Sequence, residues 1–262
     1  MARPTPYELA FASERFEGDL FPRIREEAER TGAEPLRLEQ FNLISAVGAA
    51  VREVVPEGAP PEAAAQYRLT LFHAFNLWRS GRRIYRLEPG VARYLVEAAP
   101  ALRDWDFTAP QASLYLQLPA HLFWGKITPE STPEPVDGLF VTVAPVRDAS
   151  GRPFQRLDLL MVLGLRRDRA GFSVIPIGSE AGPGIPAVWA EAPGREGGAD
   201  FENILPGGEI RGLYSLLTTA EVLKLTGRAL WYVDRFPRDL SEVAEPPHPP
   251  FTRVALGEGE EP

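Results

Sequence analysis

The sequence predicts an α+β fold, in which a helical N-terminal portion packs with a mainly antiparallel sheet of four or five strands and a late C-terminal helix. Two observations predict it: apolar residues recur at helical spacing early in the chain, and short β-rich runs follow. The runs cover residues 113–118, 139–146, 157–165 and 172–177. The connectors between the last three runs are too short for a crossover helix, so neighbouring runs are predicted to pair antiparallel.

Four helices are predicted before the first β-rich run, over residues 19–32, 35–55, 60–80 and 89–99. Asp19 suits the capping position of the first helix, and Gly32 and Gly81 suit the ends of the first and the third. The second helix has a narrow middle made of small residues, namely Ala46, Gly48, Ala49 and Ala50. This permits close approach of a neighbouring element, and core packing is the expected reason.

The run 157–165 is apolar nearly throughout, which is typical of a central strand covered on both faces. The N-terminal helices and a late helix predicted within 209–226 would supply the cover. We therefore expect the helical portion 1–107 and the sheet portion 108–245 to form one cooperative unit. The remaining residues, 246–262, are rich in proline and then acidic, and we expect a loosely held arm.

The net charge of the chain limits the kinds of partner that it can bind. The 262 residues carry 28 Lys and Arg against 36 Asp and Glu, a formal net charge of −8, which argues against general binding to nucleic acid or to anionic membranes. Arginines cluster at 79–86 and 166–169, and solvated charge is the simpler interpretation of both clusters. Residues 1–11 lack a signal-peptide pattern and no apolar run is long enough to span a membrane, so we expect a cytoplasmic protein of bacterial type.

The chemistry of the chain is bounded by what its sequence lacks. It contains no cysteine and three histidines, which excludes disulfides, thiolate metal sites and cysteine nucleophiles. It also lacks the glycine-rich phosphate-binding signatures, the G-x-S-x-G elbow and the H-E-x-x-H pair. We expect no cofactor and no metal site.

Three side chains are weak candidates for catalysis. His73 lies on a polar strip of the third predicted helix. It is either a general base or a hydrogen-bonded or half-exposed histidine on the outer face of that helix. His121 follows the first β-rich run and belongs to a site or to a packed aromatic corner. Asp158 interrupts an apolar run, so it is paired with Arg156 or Arg166 or else faces a cavity with a perturbed pKa. Asp137, before a glycine, is expected only to shape a turn.

A long loop predicted over residues 178–208 resists this scheme, because loops of that length in a compact domain are usually functional or disordered. It contains eight glycines and four prolines, yet also several large apolar side chains. We expect Trp189, Phe201 and Ile204 to be binding residues that dock onto a partner, a second copy of the chain or a ligand. Decoration of a solvated loop is the alternative for its charged residues.

Three functions remain open from the sequence. The leading hypothesis is a non-catalytic binding or assembly protein, a subunit of a larger complex that acts through protein–protein contacts or self-association. The second is an enzyme without a recognisable motif, a carboxylate-dependent hydrolase or transferase. The third is a nucleic-acid-associated protein that uses the arginine clusters, which the net charge disfavours.

Overall fold

A computed structural model describes residues 3–97, 109–126, 130–147, 150–151, 153–166, 171–181, 219–246 and 248–257. The α-helices are α1 Pro6–Ala10, α2 Phe21–Thr31, α3 Leu38–Phe41, α4 Ser45–Val54, α5 Pro61–Arg79, α6 Pro89–Glu97 and α7 Thr219–Arg235. A π-helical segment, Glu14–Leu20, leads into α2, and a 3-10 turn, Pro237–Asp239, follows α7. The strands are β1 Ile84–Leu87, β2 Ser113–Gln117, β3 Trp124–Gly125, β4 Glu134–Arg147, β5 Pro153–Arg166, β6 Gly171–Ala181, β7 Leu240–Val243 and β8 Phe251–Val254.

The α+β class is confirmed, but the sheet is larger than predicted and mixed. It has eight strands in the order β6-β5-β4-β2-β1-β8-β7, with the short β3 paired to β4 outside this path. The pairs β1·β2 and β1·β8 are parallel, and the others are antiparallel. The prediction of four or five strands missed the four-residue strands β1, β7 and β8. Strand β8 lies within the segment expected to be a loose arm.

Two of the predicted helices need correction. Asp19 does not cap α2, because the π-helical segment runs into that helix without a side-chain cap. The second predicted helix is divided into α3 and α4 by a turn at residues 42–44. A carboxylate from another helix starts α4: Glu27 accepts hydrogen bonds from the backbone N–H groups of Ser45 at 2.7 Å and Ala46 at 3.0 Å. Such a tertiary cap leaves no trace in local sequence periodicity.

The sheet is covered on both faces, and side chains of each central strand alternate between two cores. In β5, Leu159, Met161 and Leu163 pack in the core beneath α6 and α7. Leu160 and Val162 pack in the other core, which the helices α1 to α5 cover. This arrangement explains the almost continuous apolar run, because both faces of β5 exclude water.

Helix α5 runs through the core on its side of the sheet. Residues 70–77 are all buried, so His73 and the part of the polar strip around it lie inside the protein and not on an outer face of the helix. A helix that is buried on every side must satisfy each polar side chain internally. This requirement applies to His73, whose contacts with the sheet are described below.

Candidate functional site

A pocket of about 190 Å³ opens where β2 ends and β4 begins. Opposite charges, one histidine and an apolar wall line it: Arg3, Asp137, His121, Pro135, Val136 and Leu165. Arg3 precedes the first helix and Asp137 lies within β4, and the fold brings these two distant residues together. Among the candidates from the sequence, His121 lies here.

Asp137 is the best-held polar group of this pocket. Its side chain is 6% exposed and accepts a hydrogen bond of 2.6 Å from the Tyr115 hydroxyl. The Gln117 amide donates to both carboxylate oxygens, at 3.3 and 3.2 Å, and Arg3 Nη2 lies 3.5 Å from Oδ1. A buried carboxylate with three such donors has a fixed position and orientation.

The local electrostatics follow from burial opposed by these donors. Burial raises the pKa of the Asp137 carboxyl, and the Arg3 guanidinium, the hydrogen bonds from Tyr115 and Gln117, and the Arg86 guanidinium act in the opposite direction. Burial and the neighbouring Asp137 charge raise the pKa of Tyr115 well above its ordinary value. The phenol therefore stays protonated and remains a hydrogen-bond donor to the carboxylate.

The interpretation of Asp137 as a turn residue is wrong. It lies inside β4, at an irregularity of the β4–β5 ladder between Val136 and Gly138. A Cβ atom on Gly138 would lie 2.3 Å from the backbone oxygen of Leu116 and 2.9 Å from the Tyr115 hydroxyl. Glycine is thus required where the strands approach, and the bulge directs the preceding carboxylate toward Tyr115.

The N-terminal segment closes one side of the pocket. Arg3 Nη2 also donates to the backbone oxygen of Leu118, and the backbone oxygen of Arg3 accepts a hydrogen bond of 2.8 Å from Arg86 Nη2. The Arg86 guanidinium lies 3.7 Å from the ring centre of Phe251 in β8. Arg86 is therefore a tether between the N-terminal segment and the sheet, and is not a solvated charge.

His121 lies on the pocket wall in a strained backbone conformation. Its φ is +59°, in the left-handed region that non-glycine residues rarely adopt. The imidazole is exposed, and its ring centre is 6.0 Å from that of Trp124. Strain of this kind persists where the surrounding structure fixes it, and it clusters at functional sites. Both sequence interpretations of His121 are partly met, since it borders a pocket and contacts an aromatic ring.

The other two catalytic candidates, His73 and Asp158, lie near each other at a different place on the same face of the sheet. Ser113 of β2, Thr142 of β4 and Asp158 of β5 are successive cross-strand partners. His73 Nδ1 shares a hydrogen bond of 3.0 Å with the Thr142 hydroxyl, which lies 3.2 Å from the Ser113 hydroxyl. We call these four residues the polar row.

His73 is enclosed completely. It is 0% exposed, and burial lowers its pKa to about 3. Within the described part of the chain, its Nε2 atom has no hydrogen-bond partner. A general base must reach its substrate, and the surroundings of His73 offer no support for that role. They favour a buried, hydrogen-bonded histidine.

Asp158 has the arginine partner that the sequence predicted. Arg156 Nε donates to both of its carboxylate oxygens, at 3.3 and 3.0 Å, and Arg156 Nη1 donates to Glu39 of α3 at 2.7 Å. The side chain of Asp158 is 13% exposed and that of Arg156 is 16% exposed. The pair therefore joins β5 to α3, which favours the structural interpretation of Asp158.

We expect Asp158→Asn to lower the free energy of unfolding by about 1 kcal/mol, the lower end of the range for disturbing a buried polar group. The loss is small because Arg156 keeps Glu39, and the amide oxygen still accepts a neutral hydrogen bond. Urea unfolding followed by fluorescence measures it. An unchanged midpoint together with a lost ligand or activity would return Asp158 to the functional candidates.

A second surface, which we call the α2–α4 groove, lies between these two helices and has a volume of about 500 Å³. Ala46 and Ala50 are buried in the core, as expected from their size, whereas Gly48 and Ala49 are only half-buried and Ala49 lines the groove. The small residues therefore serve two faces of α4. Leu43, two residues before the groove-lining Ser45, is 81% exposed.

The walls of the α2–α4 groove carry both signs of charge. Glu27 uses its carboxylate as the cap of α4. Burial raises the pKa of this carboxyl, but the hydrogen bonds from Ser45 and Ala46 and the charge of Arg30 together outweigh it and lower the pKa. Arg23 pairs with Asp19 at 3.3 Å. Arg30 and Arg52 also line the groove, and neither has an ion pair among the described residues.

The binding residues predicted from the sequence, Trp189, Phe201 and Ile204, lie outside the described residues. So do Arg167 and Arg169 of one arginine cluster. In the other cluster, Arg82 pairs with Glu17 at 3.1 Å and Arg83 with Glu242 at 3.6 Å. Intramolecular pairing of two of its members reduces the charge that this cluster presents to a polyanion.

Two further features are absent from the described residues. No group of three His, Asp or Glu side chains there has an arrangement that could hold a metal ion. No helix in that part of the chain is both long enough and apolar enough to cross a bilayer.

Comparison with known proteins finds no sequence match and a distant structural likeness. No protein-family model matches the chain, and no curated protein matches it. Among solved structures, one described as the crystal structure of AcrVA2 aligns with 95% of this chain and 81% of its own, at 11% sequence identity and a TM-score of 0.47. A likeness this remote supports no statement about what the present chain does.

Proposed function

We propose that the protein is a non-catalytic binding or assembly protein that contacts another protein through the α2–α4 groove and the adjoining Leu43. The observation that carries the proposal is an almost fully exposed leucine, 81% accessible, two residues before Ser45 of a groove that is also lined by two arginines without an ion pair among the described residues. Single exposed apolar residues are common on protein surfaces. Here the leucine adjoins a concave surface with small residues at its floor, which an element of a partner can approach closely.

The charges of the groove favour an acidic partner segment. Arg30 and Arg52 line the groove, and neither has an ion pair within 4.0 Å among the described residues. The nearby Glu27 carboxylate accepts its hydrogen bonds from backbone N–H groups and feels the charge of Arg30 only at longer range. A partner carboxylate would therefore meet guanidinium groups that retain their donors, and arginine pairs with carboxylates in a bidentate manner. On a chain with a net charge of −8, this surface also gives an acidic partner a defined place to bind.

The proposal is tested by affinity capture from a lysate of the source organism, with capture measured quantitatively for matched variants. We expect Leu43→Ser to reduce recovery of the partner strongly, since truncating an interface anchor commonly costs about 2 kcal/mol, roughly thirtyfold in affinity. The double variant Arg30→Glu, Arg52→Glu should do the same through charge. Capture by the unmodified protein should weaken as salt is raised.

Two control variants separate a specific surface from general loss of charge or apolar area. Leu256 is 37% exposed and Arg93 is exposed on α6, under the opposite face of the sheet. Leu256→Ser and Arg93→Glu are expected to leave capture unchanged. Equal recovery with the groove variants and with these controls would overturn the proposal, whatever partner is recovered.

A second candidate, the carboxylate-dependent enzyme, is favoured by one observation. Asp137 and His121 line the same pocket, and burial raises the pKa of the carboxyl, a combination that suits acid–base chemistry. Against it, three donors hold Asp137. Consumption of a bound small molecule, lost in His121→Asn, would favour the enzyme over the binding protein.

A further inference from the structure

The pocket beside Asp137 presents a positive and a negative group side by side. Arg3 Nη2 and Asp137 Oδ1 are 3.5 Å apart, and both residues line the pocket. The Asp137 side chain is 6% exposed, whereas that of Arg3 is 33% exposed. The pocket is distinct from the α2–α4 groove, so the inference drawn from it is independent of the proposed function.

Arg3 has donors to spare. Its described contacts, to Leu118 and to Asp137, both use Nη2. A guanidinium has five N–H donors in a planar fork that matches a carboxylate. The Nε and Nη1 groups of Arg3 have no hydrogen bond to a described residue, so one edge of the fork is available to an anionic group in the pocket.

Asp137 has an acceptor position to spare. A carboxylate offers about four acceptor positions. Tyr115 and Gln117 donate hydrogen bonds to Oδ2 and Gln117 also donates to Oδ1, whereas Arg3 Nη2 lies 3.5 Å from Oδ1 as an ion pair without a hydrogen bond. One position on Oδ1 therefore accepts no hydrogen bond from a described residue, and Asp137 lines the pocket. A donor within the pocket would complete the coordination of the carboxylate.

We propose that this pocket binds a free α-amino acid with a short aliphatic side chain. The ligand's carboxylate pairs with Arg3 and accepts a hydrogen bond from the His121 imidazole, while its ammonium group donates to Asp137. The aliphatic side chain lies against Pro135, Val136 and Leu165.

The adjacent charges of Arg3 and Asp137 disfavour ligands that carry a single charge. A lone anion that reached Arg3 would lie beside the Asp137 carboxylate, and a lone cation at Asp137 would lie beside the guanidinium; each would meet a like charge. A zwitterion meets neither penalty. Because the two protein charges are only 3.5 Å apart, the ligand's charged groups must also be close together, as they are on the α-carbon and its carboxylate and not in longer ω-amino acids.

The size of the pocket agrees with this class. An apolar cavity of about 150 Å³ in another protein accepts benzene, and the present pocket measures about 190 Å³. A ligand of about six to ten non-hydrogen atoms fits such a volume. The amino acids valine and leucine fall in that range.

Isothermal titration calorimetry of the whole protein with matched probes tests the proposal. We expect valine or leucine to give saturable binding. Isovalerate, which keeps the carboxylate alone, and isobutylamine, which keeps the amine alone, should each bind at least tenfold more weakly. Arg3→Gln and His121→Asn should each weaken binding of the amino acid at least tenfold. Asparagine tolerates the left-handed backbone at position 121, so that variant preserves the fold.

Arg93→Gln, far from the pocket on α6, serves as the matched control and should bind as the unmodified protein does. Binding of isovalerate as tight as that of valine, or binding that survives in Arg3→Gln, would overturn the proposal. Absence of binding for every probe would also overturn it, and would leave the α2–α4 groove as a separate question.

Discussion

Asp137→Ala is expected to lower the free energy of unfolding by about 3–5 kcal/mol, the range for removing one partner of a buried charged pair. The substitution leaves the Tyr115 hydroxyl buried without its acceptor, and the Gln117 amide keeps only the long hydrogen bond of 3.4 Å to the backbone oxygen of Pro4. Both side chains are almost wholly enclosed, at 0% and 2% exposure. It also releases Arg3, which holds the N-terminal segment to the sheet. Urea unfolding, with the slope checked for constancy, gives the difference.

An exposed carboxylate provides the matched control for this substitution. Asp234 lies on α7 and is exposed, so Asp234→Ala should change the free energy of unfolding by no more than about 0.5 kcal/mol. A midpoint for Asp137→Ala equal to that of the unmodified protein would mean that this carboxylate is not the centre of a buried network.

Acidification is expected to destabilise the protein through His73 by about 3 kcal/mol between pH 7.5 and 4.5. Burial lowers the pKa of His73 to about 3, whereas an unfolded chain has the ordinary histidine value of about 6.5. Above that value both states are neutral, and the full stability is present. As the pH falls below about 6.5, His73 becomes protonated in the unfolded state but stays neutral in the folded state. The free energy of unfolding therefore falls by about 1.4 kcal/mol per pH unit until the pH reaches the folded pKa.

The measurement compares the pH dependence of unfolding in two variants. His73→Gln removes the titrating group and should have a shallower fall in stability below pH 6.5, whatever its stability at neutral pH. Arg93→Gln, at an exposed position of α6, removes no histidine and should keep the slope of the unmodified protein. Identical slopes in His73→Gln and the unmodified chain would show that His73 takes up its proton in the folded state.

The sequence was sufficient for the elements whose signal is local. The apolar run 157–165 lies in β5, and helix α5 spans Pro61–Arg79 where helical spacing predicted residues 60–80. Strands β1, β7 and β8 have four residues each, too few for a period to stand out. Their existence depends on pairing with distant segments, and no pattern within four residues reports such pairing.

The pocket was missed for a related reason. An aspartate before a glycine has the local signature of a turn, and nothing nearby in sequence marks Arg3, Tyr115 or Gln117 as its partners. The signal that was available is the position of the pair at the start of a buried β-rich run, where glycine often marks a bulge. Asp158 was interpreted better, because its arginine partner is two residues away on the same strand.

The place of β8 in the sheet has a consequence for the protein during its synthesis. Strand β8 lies between β1 and β7, and Tyr85 of β1 pairs with Thr252. At ribosomal rates of about 5–20 residues per second, roughly 10–30 s pass between the synthesis of β1 and that of β8. Throughout that interval the nascent chain exposes an unpaired strand edge, the feature through which growing chains stick to one another. The edge of β1 is covered only when β8, near the C-terminal end of the sequence, becomes available for pairing.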